Sequence, residues 1–592
     1  MPPPRCMWMK MPLSSPALMS ATPTTDNAKI YTIILITEYT SICKNPSNKH
    51  STPGRPAALD YTLRKPMATT TQYLDPMTGH GPFTATQQSR RPNILFISTD
   101  MVPPEFYMPG AAPVKAPHLQ ALRDRHLFFA NAYCTSPLCS PSRAAYLTGR
   151  HSYITTNSER AHDGHAIHLR PDDILFAEYL KPLDYHLRHV GKCHAGAHKF
   201  SQVFSENDSP WDRWSPPWND DDDYIGFLAQ RGLQRFTFDR SIVGQSLTGE
   251  GTGNHYGGWI APQNGQPFPS DATYPAYLVD KAIATLEARP DPDQPFYLQV
   301  DFFGPHQPFA IPDGFAQREA ALRQELELPA SYGNVDSADR PEPRIYQLYR
   351  QSWGLTDPQT VLDYRVANLL QFELIDQMIG RLLDYLRQRD LYDDTWIFFI
   401  ADHGEMNGEQ ALIDKGAFLN PRVIQAPIII KPGTASPHTG PAVVSQAVSL
   451  LDLAPTVLDI AGISTPTRLD GVSLLDSLAG QARPDEHPIL FEVWSHVMPN
   501  PSVGTVFTAA NDRDYMFTFN ACDPVDELYL LDGSTCPTNL WPDPQQQPLV
   551  DQAVATLHHR LAGDERWKSY RGFVELTYPD RLAAAGDRQL FF

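Results

Sequence analysis

The stretch CSPSRAAYLTGR, residues 139–150, places a thiol next to a proline, hydroxyls and two arginines. Ala144, Ala145 and Leu147 favour helix, and Gly149 can end it. Pro141 suits a first helical turn, so Cys139 falls at or just before the helix N-terminus. Unpaired backbone N–H groups at such an end attract anions and lower a thiol's pKa. Arg143 adds a fixed cation with a planar donor fork. On these grounds Cys139 reads as an anion-facing thiol, as a small buried cysteine, or as the disulfide partner of Cys134.

Other stretches carry complementary chemistry. In VGKCHAG, Lys192 and His194 stand two apart, and on an extended segment they project from one face toward a single anion. A lysine there holds negative oxygens, and a histidine can give a proton to a leaving group. In IADHGE, Asp402 and His403 can both reach one divalent ion if the chain bends at Gly404. With Asp100, at the end of RPNILFISTD, they make a set of two carboxylates and one imidazole suited to Ca2+, Mg2+ or Mn2+. His306 lies in FFGPHQPF. Taken singly, each motif reads as readily as a solvated turn or a partly buried histidine.

The elements that must position these residues are legible as buried runs. Asn93–Ser98, PFYLQVDFF (295–303), TWIFFIAD (395–402) and APIIIKP (426–432) are short and apolar, as strands covered on both faces are. Between them VLDYRVANLLQFELIDQMIGRLLDYLRQRD (361–390) repeats its apolar residues at three and four, which predicts a helix. The alternation predicts an α/β fold, a parallel sheet with helices on both faces. Ligands of such sheets bind outside the carboxyl ends of the strands. Asp100, His306, Asp402 and His403 all follow strands there. We expect a Ser-, Thr- and Pro-rich disordered extension over 1–90, a catalytic domain over 91–483 and a smaller α+β subdomain over 484–592.

Composition narrows the partners. A net charge of −19 argues against nucleic acid, which needs clustered Lys and Arg. An anionic substrate must therefore meet a local cationic pocket. Seven scattered cysteines (6, 43, 134, 139, 193, 522 and 536) are too few for a disulfide framework. IYTIILIT (30–37) is too short to span a bilayer, no secretory signal precedes it, and NDS at 207–209 is a weak glycosylation acceptor. These features predict a cytoplasmic protein with no membrane partner. Asp220 to Asp223 could meet a cationic group, although a solvated acidic loop is the plainer reading.

The spacing of Cys139, Pro141, Ser142, Arg143, Leu147, Thr148 and Gly149 resembles the signature of type I, formylglycine-dependent sulfatases, C-x-P-S-R with L-T-G after a short spacer. The likeness continues in order through RPNILFISTD, GKCH, PHQP, ADHGEMNGEQALIDKGAF and LDLAPTVLDIAGISTPTRLDGVSLLDSLAG, from about residue 91 to the end. It implies the alkaline-phosphatase-like α/β fold, with a large mixed, mostly parallel sheet flanked by helices on both faces, and hydrolysis of a small-molecule sulfate ester. It implies that a formylglycine-generating enzyme converts Cys139 to Cα-formylglycine. One hydroxyl of the hydrated aldehyde would attack sulfur, and deprotonation of the other would release sulfate.

By the same resemblance, Asp100, Asp402, His403 and the oxygen at position 139 hold one divalent ion, Ca2+ before Mn2+ or Mg2+. Arg143 steadies the diol, Lys192 contacts sulfate and His194 contacts the diol. His306 protonates the leaving group, and Lys415 bridges sulfate and the leaving oxygen.

The chain also departs from the family pattern. Met101 stands where many members have a second Asp, and Cys193 where Trp is usual, leaving a third thiol near the pocket. His403, where some members have Asn, resembles the subgroup with choline sulfatases and phosphonate monoester hydrolases. A sulfate monoester is the first expectation because Lys192 and His194 are both present. A phosphonate monoester or phosphodiester is the second. A weakly catalytic binding protein is the third, should Cys139 stay unconverted.

Overall fold

Every residue of Asn93–Asp100 is buried, so this strand carries apolar side chains on both faces and is covered on both. The main sheet has eight strands: β1 (Asn93–Asp100), β2 (Leu127–Phe129), β3 (His186–Lys192), β4 (Asp208–Trp211), β5 (Phe296–Pro305), β6 (Thr395–Ala401), β7 (Ile428–Lys431) and β8 (Ala442–Val444). Their spatial order is β8-β2-β7-β6-β1-β5-β3-β4. All run parallel except β7, which is antiparallel to β6 and β2, so the sheet is mixed and mostly parallel. This computed structural model describes residues 91–562 apart from short internal stretches, the longest being 153–168. The expected extension 1–90 with its IYTIILIT run, Cys6, Cys43, Cys522, Cys536 and Asn207 lie outside the described residues.

The principal helices are α1 (Pro117–Arg125), α2 (Cys139–Thr148), α3 (Tyr274–Glu287), α4 (Arg344–Trp353), α5 (Pro358–Gln388), α6 (Leu453–Ile460) and α7 (Gln547–Ala562). Side-chain alternation along β1 divides the interior in two. Ile94 and Phe96 pack on one face with Ala144 and Leu147 of α2 and Val457 of α6. Leu95 and Ile97 pack on the other with Leu119 of α1, Val279 of α3 and Ile375 of α5. Phe96 fastens α2 to the sheet, its ring 6.0 Å from Tyr146 and 5.7 Å from Phe398 between centroids. Burial of such a ring contributes about 1.5–3 kcal/mol.

Strands β9 (Leu490–His496), β10 (Met498–Thr508), β11 (Asp514–Asn520) and β12 (Glu527–Leu530) form an antiparallel sheet. Its Val503, Phe517 and Leu528 share an apolar core with Val550 and Leu557 of α7. Among the described residues no helix is long and apolar enough to cross a membrane.

Candidate active site

Because β1, β3 and β6 run parallel, their carboxyl ends open on one side and deliver Asp100, Lys192 and the Asp402–His403 pair together. Helix α2 begins at Cys139 and ends where Gly149 adopts a left-handed φ of 66°, as its sequence predicts. Asp100, Cys139, Asp402 and His403 are all buried and offer ligand atoms within 4.8 Å of one another. Two carboxylates, an imidazole and the atom at position 139 suit a hard divalent cation.

Each carboxylate divides its oxygens between two tasks. Asp100 Oδ2 accepts from Lys192 Nζ at 2.5 Å and from Arg143 at 3.4 Å, while Oδ1 lies 3.4 Å from Cys139 Sγ and 3.8 Å from His403 Nε2. Asp402 Oδ2 accepts from Arg143 Nε at 2.9 Å, while Oδ1 lies 3.7 Å from His403 Nε2. His403 Nδ1 donates to the Gly404 carbonyl at 2.9 Å, which leaves the Nε2 lone pair facing this cluster. Burial raises the Asp100 carboxyl, but Lys192, His306 and Arg143 together hold it well below the usual carboxylate range. It is an anion ready for a cation.

Three local expectations need correction. The Cys139 thiol is not acidic: burial and Asp100 push it up to about 12, outweighing Lys192 and Lys415. His194 does not share a strand face with Lys192, because β3 ends at Lys192 and His194 takes a positive φ of 44°. The turn still brings it into the site, where burial and then Lys192 lower its pKa well below the ordinary imidazole value. Gly404 is needed for close packing, since a Cβ there would meet the Arg422 carbonyl oxygen at 1.9 Å, and not for a special φ. Cys134 and Cys139 are free thiols, so the disulfide alternative is excluded. Cys193 is also a buried free thiol, and it donates to the Trp211 carbonyl at 3.4 Å.

Met101, which stands where the resembling family has a second carboxylate, contributes backbone. It takes a φ of 61° and its N–H donates to Asp402 Oδ1 at 3.1 Å. Among the described residues no further His, Cys, Asp or Glu joins the four candidate ligands.

His306 and Lys415 meet directly, Lys415 Nζ donating to His306 Nε2 while His306 Nδ1 donates to the Gln307 carbonyl. Burial and Lys415 lower His306 to about 3, so it is neutral beside a charged lysine. Asp414 balances that lysine at 3.2 Å and accepts from Gln307 Nε2 at 2.6 Å. Lys192, Lys415 and Arg143 thus supply the local positive charge that the acidic chain must provide for an anion. By contrast, the acidic run is engaged structurally. Asp221 caps the helix Asp222–Gln230 through Tyr224 N, Asp220 pairs with Arg213 and Asp223 pairs with Lys281.

Sequence reasoning passed over Asp301, Glu405 and Asp414, all buried around this site. Asp301 had a visible signal, a carboxylate inside the apolar run FYLQVDFF. Glu405, held by Tyr364 at 2.6 Å and Asn368 at 2.7 Å, is pushed up to about 8 by burial.

Residues 92–463 match the family model described as Sulfatase. The chain belongs to the sulfatase family. Residues 408–564 of this sulfatase also match the model for the C-terminal region of N-sulphoglucosamine sulphohydrolase. It is 28% identical over 482 residues to a choline-sulfatase of Rhizobium meliloti (strain 1021), covering 79% of this chain and 85% of that protein. It is 24% identical over 458 residues to an N-acetylglucosamine-6-O-sulfatase of Bacteroides thetaiotaomicron, covering 67% and 72%. A phosphonate monoester hydrolase from Silicibacter pomeroyi shares the fold at a TM-score of 0.59 and 21% identity, covering 81% of this chain and 96% of that one. The sulfatase is accordingly a sulfuric ester hydrolase of the alkaline-phosphatase-like superfamily.

Proposed function

We propose that this sulfatase cleaves a small-molecule sulfate monoester, using Cys139 after its conversion to Cα-formylglycine by a formylglycine-generating enzyme. The observation that carries the reading is the burial of Cys139 against Asp100 Oδ1 and His403 Nε2, with a thiol raised to about 12. A thiol so hard to ionise is a poor nucleophile. The hydrated aldehyde would supply an attacking hydroxyl in its place. Asp100, Asp402 and His403, with the oxygen at 139, would hold one divalent ion, Ca2+ first and Mn2+ or Mg2+ next. Such an ion polarises oxygen and favours its deprotonation.

The remaining steps belong to the chain's own side chains. Lys192 and Lys415 bind the sulfate oxygens, and Arg143 keeps Asp100 and Asp402 in register. His194, under the influence of Lys192, Asp100, Arg143 and Lys415, meets the diol. His306 gives the proton to the leaving oxygen. In the free protein it is neutral, and a sulfate anion set beside it and Lys415 raises its proton affinity. We also propose 91–483 as the catalytic domain and 484–592 as an appended subdomain, a division supported by the separate core around Phe517 and Leu557.

Mass spectrometry of the peptide spanning Cys139 in active, natively expressed protein tests the nucleophile. The expected mass is that of formylglycine, and an intact alkylatable thiol would overturn the mechanism. Comparing kcat/KM for an aryl sulfate and phenyl phosphonate on one preparation tests the substrate class. A strong preference for the phosphonate would overturn it.

A further inference from the structure

We propose that Asp301 is a positioning residue for Arg143, holding from beneath the site the guanidinium that steadies both metal-facing carboxylates. Asp301 lies on β5, paired with Ser98 of β1 on one side and Gly191 of β3 on the other. It is fully buried, and an anion taken out of water costs several kcal/mol unless its oxygens are satisfied. Ser98 Oγ donates to Oδ1 at 2.5 Å, and Gln299 Nε2 and His189 Nε2 donate to Oδ2 at 2.7 and 2.9 Å. Gln299 is itself oriented by the Tyr297 hydroxyl at 2.8 Å.

Of these donors only His189 can carry a charge, and only when protonated. Arg143 carries a permanent one, and its Nη1 lies 3.9 Å from Asp301 Oδ2. Arg143 is also fully buried and is fully engaged elsewhere: Nε on Asp402, Nη2 toward Asp100 and Nη1 on the Lys192 carbonyl at 2.9 Å. Asp402 and Asp100 attract the guanidinium from the ligand side only. Asp301 attracts it from below, so the fork stays seated when a cation draws the two ligand carboxylates toward itself. Asp301 is outside the cluster of candidate ligands and acts only through Arg143. Gly191, φ 107°, lets β3 lie against the backbone of Asp301, since any Cβ there would meet the Asp301 carbonyl oxygen at 2.1 Å.

The activity readout rests on the sulfatase reading, so a second readout is kept independent of it. Ca2+ affinity by calorimetry, kcat and KM on 4-nitrophenyl sulfate, and formylglycine occupancy by mass spectrometry are measured for wild type, Asp301→Asn, Arg143→Ala and the double variant. At matched occupancy, Asp301→Asn is expected to weaken Ca2+ binding and lower kcat by about tenfold each, the loss of one charge-assisted contact, with KM nearly unchanged. In the Arg143→Ala background the same substitution should add less than about threefold. An equal effect in both backgrounds would make Asp301 merely structural and overturn the proposal.

Should Arg143→Ala not fold, a crystal structure of Asp301→Asn decides the matter. Arg143 displaced from Asp402 supports the proposal, and Arg143 in its wild-type place overturns it. Should Asp301→Asn not fold, Ser98→Ala, which removes one donor to Asp301, is put through the same measurements with the same criteria. If wild type turns over no sulfate ester while the Ca2+ cycle is non-additive, the sulfate-ester reading falls and Asp301 stands. If the Ca2+ cycle is additive, the Asp301 proposal falls whatever the substrate.

Discussion

Arg143 Nε donates to Asp402 Oδ2 at 2.9 Å, with neither side chain exposed to solvent. Breaking a buried pair by removing one partner leaves an uncompensated charge and costs about 3–5 kcal/mol. Arg143→Ala should lower the free energy of unfolding in urea by that amount. Arg143→Ala combined with Asp402→Asn should recover part of the loss, because Asp402 then no longer leaves an unpaired charge, although Asp301 and Asp100 still lack the guanidinium. A double variant less stable than the sum of the singles would contradict this account of the pair.

Asp402→Ala removes a candidate ligand and the anchor of Arg143 together. We expect no stoichiometric Ca2+ or Mn2+ by elemental analysis and activity reduced more than about 100-fold. Metal retained at native stoichiometry would remove Asp402 from the ligand set.

Chelation of wild type should lower its melting temperature as well as its activity, since a cation bound only by the folded state stabilises it. At a free concentration of about 100 times Kd the stabilisation is about 2.7 kcal/mol. Refilling with Ca2+, Mn2+ or Mg2+ and ranking the melting temperatures reads the preferred ion. An unchanged melting temperature after verified metal removal would speak against the buried site.

Tyr349 on α4 ties the Lys415 loop to the first hairpin of the C-terminal sheet. Its hydroxyl accepts from Ala417 N at 2.8 Å and donates to the His496 carbonyl, while Asn500 Nδ2 donates to the Ala417 carbonyl at 2.7 Å. Tyr349→Phe strands the buried Ala417 N–H, at about 1–3 kcal/mol. Because Lys415 is two residues away, kcat should fall more than KM rises. A stability loss with unchanged kinetics would show that the loop holds Lys415 without this tie.

Glu527 on β12 accepts from Tyr346 and Tyr529, both at 2.6 Å, and burial raises it to about 7 from 4.5. The folded state therefore keeps this proton to higher pH than the unfolded state does. The contribution is fully present below pH about 4.5 and is lost as pH rises to about 7, at most about 3 kcal/mol. Glu527→Gln should flatten the fall of stability between pH 5 and 7.5 in denaturant titrations. A wild-type slope retained in the variant would assign the dependence to another group.

The amino-acid order alone specified the buried strands, the long helix α5, the start of α2 at Cys139 and the strand-end placement of Asp100 and Asp402. These are local matters of apolar periodicity, proline and glycine, written in consecutive residues. It also carried the family motif. The tertiary structure alone decided that Lys192 and Arg143 claim one oxygen of Asp100 and leave the other facing the ligand cluster. It decided that burial raises the Cys139 thiol instead of lowering it, and that Asp301, a carboxylate visible in its apolar strand but with no partner readable there, lies beneath Arg143. Charge interactions and desolvation depend on distance in space and on excluded water, and residues 139, 301 and 402 meet only when the sheet closes around them.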